Sequence, residues 1–104
     1  MGKKVWVASY HFSDRHGGCD SDIIGVYDTN EKAVKACGDN IEMYLREYNA
    51  VRKNNTINPN AVMQIDGEDV HEGMTIEEAR NATSINIDNS GTWCNWSITE
   101  KEIE

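Results

Sequence analysis

Five side chains able to bind a metal fall within ten positions of one another near the start of the chain: His11, Asp14, His16, Cys19 and Asp20. Imidazole, carboxylate and thiolate together form a donor set that suits zinc. Their spacing matches no closed four-ligand pattern, and the remaining histidine, His71, lies in a distant acidic stretch. The segment therefore reads first as a solvated loop, with a metal or small-ligand module lined by His11, Asp14, His16 and Cys19 as the alternative. No cofactor is expected. Nucleophilic catalysis would need a Cys or Ser beside a positioned base. Cys37 falls on the apolar stripe of a predicted helix and Cys94 between two tryptophans of a predicted strand, so both read as packed thiols. Cys19 is the exposed candidate: Arg15 and His16 favour its thiolate, and Asp20 and Asp22 oppose it. Gly17-Gly18 lacks the GxGxxG or GxxxxGK context of a phosphate loop. No arrangement of catalytic groups stands out, and the chain is expected not to be an enzyme.

Charge position says more than any motif. Ten Lys and Arg residues stand against eighteen Asp and Glu, a formal net charge of −8 with a pI near 4.7. That balance opposes direct binding to bare nucleic acid or to an anionic membrane surface. Residues 1–52 carry seven basic and eight acidic groups, whereas residues 53–104 carry three and ten. Six of the acids, Asp66, Glu68, Asp69, Glu72, Glu77 and Glu78, fall in one stretch with no Lys or Arg among them. The plain reading is a solvated acidic loop. The functional reading is a surface for a protein partner with a basic face, such as the nucleic-acid channel of another protein.

At 104 residues the chain is expected to form a single domain, and 38% hydrophobic with 27% charged residues is a globular composition. Such a domain buries about two-thirds of its unfolded surface, enough for one small core. Residues 3–12 alternate with large apolar groups on both faces, Val5 and Val7 against Trp6, Ala8, Tyr10 and Phe12, which predicts an interior strand covered on one side by a helix. Residues 13–20 are a loop, and residues 21–27 a second strand pairing antiparallel with the first, in which Gly25 marks a bulge or close packing. Asp28, with Glu31 three residues on, forms a capping box and opens a helix over 29–52. Val34, Cys37, Ile41, Tyr44, Leu45 and Tyr48 follow at helical spacing, while Gly38 invites a bend or an early stop.

After a polar loop over 53–60, a short strand is predicted at 61–65 and a turn or protruding loop from Asp66 to Gly73. A second capping box, Thr75 to Glu78, opens a short helix over 76–81. Residues 84–88 and 92–99 read as a hairpin with Cys94 and Trp96 on one face and Trp93 and Asn95 on the other, and the tail from Glu100 frays. Core packing is the expected role of Trp6, Tyr10, Phe12, Trp93 and Trp96. The architecture is α+β: an antiparallel sheet of four to five strands, one long amphipathic helix on one face and a short second helix.

The opening residues carry the basic pair Lys3-Lys4 but no apolar run of signal-peptide length, and no window approaches a membrane span. Three widely spaced cysteines build no disulfide framework. Cytoplasmic residence with reduced thiols follows as the expectation, and the sequons at Asn54, Asn81 and Asn95 are read as chance.

Lys4-Val5-Trp6-Val7, followed by Ile24-Gly25-Val26-Tyr27-Asp28-Thr29-Asn30-Glu31-Lys32-Ala33, resembles small, mostly uncharacterised phage and prophage proteins. These share a Lys-Val strand, a polar loop, a strand ending Gly-Val-Tyr and a capped helix start. The likeness covers about the first half of the chain and implies a source class, with the host-cell cytoplasm as location. Joined to the charge map, it suggests an inhibitor of a host nucleic-acid-handling protein, of the anti-CRISPR or anti-restriction kind. Asp66, Glu68, Asp69, Glu72, Glu77 and Glu78 would make the contact. A structural homodimer through an exposed edge at Trp93 and Trp96 is a further alternative.

Overall fold

A computed structural model describes residues 2–13, 18–87 and 92–103. Its element order is β1 (Lys3–Ser13), β2 (Cys19–Tyr27), α1 (Asn30–Glu47), β3 (Gln64–Ile65), β4 (Glu68–Asp69), α2 (Ile76–Ala79), β5 (Ser84–Ile87) and β6 (Thr92–Ile103). The fold is α+β, but the sheet has six strands rather than four or five, in the order β2-β1-β6-β5-β3-β4, every neighbouring pair antiparallel. The additional strand comes from the stretch read as a loop. Asp66 and Gly67 both take positive φ, 54° and 80°, and join Ile65 to Glu68 as a two-residue hairpin. Asp-Gly is a strong short-range signal for that turn.

β1 and β6 are neighbouring interior strands, paired from Lys3↔Ile103 to Ser13↔Trp93. The tail expected to fray from Glu100 is therefore strand, tied to β1 and to the Lys4–Glu100 ion pair at 3.3 Å. β1 is interior, as its two-faced apolar pattern requires. Its register with β2 shifts between Ala8 and Ser9, so that Ala8 faces Gly25 and Ser9 faces Ile23, which puts a bulge at Ile24 beside the strand glycine. β6 has a neighbour on each side, so Trp93 and Trp96 do not lie on an edge. The outer strand on that side is β2, with Ile23 and Val26 exposed.

Helix α1 starts one residue later than the capping-box reading. Thr29 is the N-cap and its hydroxyl accepts from Lys32 N–H at 3.2 Å, while Asp28 pairs with the Lys32 ammonium. The helix runs through Gly38 and stops at Glu47, well short of 52. Asn49 adopts φ 54°, its N–H donates to Arg46 O, and Ala50 N–H donates to Leu45 O at 2.9 Å. This is a Schellman closure, in which an asparagine tolerates the left-handed position and the buried Ala50 and Leu45 supply its apolar contact. Within the helix the buried row is Ala33, Cys37, Ile41 and Leu45, whereas Val34 and Tyr48 lie partly in solvent. That row packs on the sheet face formed by Ala8, Ile85, Cys94 and Trp96. Trp96 donates its indole N–H to Asn40 Oδ1 at 2.8 Å and meets Tyr44 edge-on, ring centroids 5.4 Å apart. The opposite sheet face carries Ser9, His11, Asn95 and Ser97, all partly or fully exposed. Trp93 sits on that face against His11 and is not part of the core.

Beyond α1 the chain turns back through residues 53–60, where Ile57 is wholly buried and donates to Met74 O at 2.8 Å. The strand expected over 61–65 shortens to Gln64–Ile65, and the short helix expected to reach 81 ends at Ala79 behind its predicted Thr75 cap. Observed β5 ends at Ile87; residue 88 lies outside the described residues.

The two helices are joined by Arg80. Its guanidinium lies over Gly38, where a Cβ would come within 3.1 Å of it, and reaches Asp39 at 2.6 Å and Glu42 at 3.0 Å. Those acids also pair with Lys35 and Arg46, which makes a chain of five alternating charges along the helix surface. Arg80, then Lys35, holds the Asp39 carboxyl below the usual carboxylate range, and Arg46, then Arg80, does the same for Glu42. A carboxyl whose folded pKa is depressed stabilises the fold above its unfolded pKa and loses that contribution as pH falls through the folded value. We expect Arg80→Ala to lower the midpoint of urea unfolding at neutral pH, and the loss to shrink as the pH is taken below the carboxylate range. A constant difference between variant and wild type across that acid limb would contradict the assignment.

Candidate functional site

The loop cluster proposed for a metal divides. Asp14 and His16 lie outside the described residues. His11 and Cys19 occupy neighbouring positions on the β1–β2 ladder, in register with Ser21 and Ser13. His11 Nδ1 is hydrogen-bonded to Ser21 Oγ at 2.5 Å, and its ring meets that of Trp93 at a 49° tilt, centroids 5.6 Å apart. Among the described residues no group of three or more His, Cys, Asp or Glu side chains is placed to hold a metal ion.

The three thiols are not equivalent. Cys19 is exposed, while Cys37 and Cys94 are buried in the core. Burial pushes the Cys37 thiol up and that of Cys94 up to about 12. Both therefore stay protonated and inert near neutrality, in line with their reading as packed side chains.

All six acids of the 66–78 stretch are exposed, yet they do different jobs. Asp66 points its carboxylate back into the fold, where one oxygen accepts from Thr83 N–H at 2.8 Å, Thr83 Oγ1 at 2.9 Å and Ser84 N–H at 3.0 Å. These bonds clamp the β3–β4 turn to the start of β5. Glu72 forms an ion pair with Arg52. Glu68 and Asp69 are β4 itself, the last strand of the sheet, and Asp69 accepts from Gln64 at 3.5 Å. Glu77 and Glu78 sit in the first turn of α2, the end at which aligned peptide dipoles favour negative charge. Among the described residues Glu68, Asp69, Glu77 and Glu78 enter no ion pair. Meanwhile Lys4, Lys32, Lys35, Arg46, Arg52 and Arg80 are all engaged by acids of the chain itself. Six of the nine described Lys and Arg side chains are thus paired within the chain, and these four acids are left exposed without such a pair.

A second feature has no counterpart in the sequence reading. Between the C-terminal half of α1 and the ends of β1, β2 and β6 lies a cleft of about 330 Å³. Its walls include Tyr10, Phe12, Tyr44 and Tyr48, and Asp20 and Glu47 also line it. These residues come from β1, β2 and the C-terminal end of α1, spread from position 10 to 48, so no local motif announces the cleft. The Asp-Gly pair at 66–67, by contrast, was available as a hairpin signal.

No family model, curated protein or solved structure matches the chain.

Two outcomes follow. Under native conditions a thiol-alkylating reagent at mildly alkaline pH should modify Cys19 alone, with Cys37 and Cys94 reacting only after denaturation; rapid native labelling of Cys94 would refute its packed state. Asp66→Ala should cost about 1–2 kcal/mol in chemical unfolding because three donors lose their acceptor, whereas Glu68→Ala should change stability by less than about 0.5 kcal/mol.

Proposed function

We propose that this is a non-enzymatic interaction protein that binds a partner with a basic surface through its outward acids. The observation that carries the reading is the division of charge labour. Among the described residues six of the nine cations are paired with acids of the chain, while Glu68, Asp69, Glu77 and Glu78 stay exposed outside any ion pair. Glu68 and Asp69 occupy a two-residue strand ending the sheet, on a hairpin whose turn is held by Asp66. Carboxylates on a hairpin whose turn is anchored by Asp66 can meet cationic subsites of a partner. The partner class that fits is a nucleic-acid-handling protein with a Lys- and Arg-lined channel. Together with the resemblance of Lys4–Val7 and Ile24–Ala33 to phage proteins, this favours an inhibitor of host defence, of the anti-CRISPR or anti-restriction kind, acting in the host cytoplasm.

Asp66 and Glu72 drop to supporting roles in this reading, since one holds the turn and the other is paired with Arg52. The test is inhibition of DNA cleavage by a panel of purified CRISPR effectors and restriction endonucleases. The wild-type protein should inhibit at least one member, and the inhibition should weaken as salt is raised. Glu68→Lys with Asp69→Lys should reduce the inhibition by about tenfold or more, a loss of about 1.4 kcal/mol, with the unfolding midpoint little changed. Inhibition that survives the double reversal, or a panel with no member inhibited, would sink the reading.

A further inference from the structure

We propose that the stretch of β6 from Ile98 to Glu102 is a strand-addition site, taken antiparallel by an extended segment of a partner polypeptide that is apolar opposite Ile98 and basic opposite Glu100 and Glu102. The site lies apart from the β3–β4 hairpin and does not rest on the function proposed for it.

The two sides of β6 are unequal. On one side β1 pairs with it from Trp93 to Ile103. On the other, β5 pairs only from Thr92 to Asn95, and Trp96 N–H ends that ladder by donating to Thr83 O at 2.8 Å. Among the described residues nothing pairs with β6 on this side beyond that bond. In an antiparallel ladder alternate residues turn their N–H and C=O to the same neighbour. Trp96 turns its N–H to the β5 side, so Ile98, Glu100 and Glu102 do the same and their backbone groups form an open edge. Such an edge accepts a further strand through main-chain hydrogen bonds. It lies at the end of the β1–β6 ladder away from Ser13 and Trp93.

The edge is also walled. Ala82 and Thr83, where the chain passes from α2 into β5, close one end. Together with Val34 and Cys37 of α1 and with Trp96 and Ile98 of β6, they line a pocket of about 290 Å³. Ile98 shares the helix side of the strand with Cys94 and Trp96 and packs against the core. Val34 is 42% exposed, an apolar side chain that the buried row of α1 leaves in solvent. A side chain opposite Ile98 on an added strand meets this pocket, and covering Val34 and Ile98 stabilises the pairing. A β-branched residue suits that position.

Further along, the charge is negative. Glu100 and Glu102 follow Ile98 on the helix side of β6, and Glu31, exposed in the first turn of α1, lines an adjoining pocket with Val34 and Asn81. Lys4 is in register with Glu102 but pairs with Glu100, so Glu31 and Glu102 enter no ion pair among the described residues. Lys35 and Arg80, the cations of the adjoining pocket, are held by Asp39 and Glu42. A basic residue opposite Glu102 is therefore matched across the strands, and an acidic one is repelled. The same charges oppose a second copy as occupant. Two β6 edges paired about a two-fold axis keep their helix sides together, which sets the acids at 100 and 102 against Ile98 or against the same acids of the other copy. Lys101 points to the opposite side of the sheet and matches neither.

The test is an NMR titration that follows the backbone amides of the protein, using the capped peptide acetyl-Lys-Thr-Lys-Thr-Val-Thr-amide. Paired antiparallel, its valine falls opposite Ile98 and its lysines opposite Glu100 and Glu102. Saturable shifts and slowed hydrogen exchange are expected at the Ile98, Glu100 and Glu102 amides and not along the outer strand β2. N-methylation of the valine and of the second lysine, which removes two donors and keeps both side chains, should abolish binding. Val34→Lys and Glu102→Lys, both at exposed positions, should each raise the Kd by about five- to tenfold, with the unfolding midpoint little changed. Glu68→Lys with Asp69→Lys should leave the titration as it is, which separates this site from the hairpin. Equal binding of the N-methylated peptide, or of one with glutamates for its lysines, would overturn the proposal. So would an unchanged Kd in either single variant, weakened binding in the hairpin variant, shifts confined to β2, or no binding at millimolar peptide. Self-association of the free protein that protects the same three amides would assign the edge to a second copy and refute a partner segment.

Discussion

The pairing of β1 with β6 joins residues from the two ends of the sequence, Lys3 with Ile103 and Ser13 with Trp93, and nearly everything else is arranged around it. It brings Ala8, Tyr10 and Phe12 beside Ile98, Trp96 and Cys94, which are the floor under helix α1. β2 adds to one side of this pair through a bulge, and β5, β3 and β4 extend the other. Such a ladder closes the longest loop in the chain before it repays anything, so topology of this kind folds slowly relative to a helical bundle of equal size. The helix between β2 and β3 cannot be stable alone in water over 18 residues with a glycine in its middle. Burial of Ile41 and Leu45 on the sheet, at about 1.5–3 kcal/mol each, is what holds it.

The second constraint is electrostatic and local. Arg80 is the sole cation of the second half placed to engage α1 among the described ion pairs, and it does so over Gly38. A glycine that reads as a helix weakness is thereby the place where a guanidinium can lie flat on the helix and reach two acids at once. The cost of about 1 kcal/mol for a mid-helix glycine is offset by this close approach. The strongly acidic half of the chain is thus docked to the nearly neutral half through one of its few basic residues.

Internal use of the cations gives the surface its character. The ion pairs lie along α1, on the β1–β6 ladder and at Arg52, while exposed carboxylates remain on the β3–β4 hairpin, on α2 and at the mouth of the aromatic cleft. The two acidic regions differ in kind. The hairpin carries acids alone, whereas acids and aromatic side chains together line the cleft.

Local signals in the sequence were enough for the elements that depend on nearby residues. The alternation of residues 3–12, the Thr75–Glu78 box and the apolar repeat of α1 translate directly into a pleated strand, a capped turn and a buried helix face, since each is set by neighbours within four residues. Asn49 and Asp66-Gly67 carried equally local information about a helix stop and a hairpin, through their tolerance of positive φ. The choice of Ala33 over Val34 for the buried row, the strand status of Glu100–Ile103, the exposure of Trp93 and the gathering of Tyr10, Asp20, Tyr44 and Glu47 around one cleft were not legible. Each depends on which strand lies beside which, and strand pairing is decided by the total burial of a sheet against its helix rather than by any run of residues. The sequence by itself determined the α+β class, the inert thiols and the inventory of charge. Tertiary structure decided which acids are consumed and which face out, because only contacts between distant residues bring a carboxylate within reach of a guanidinium.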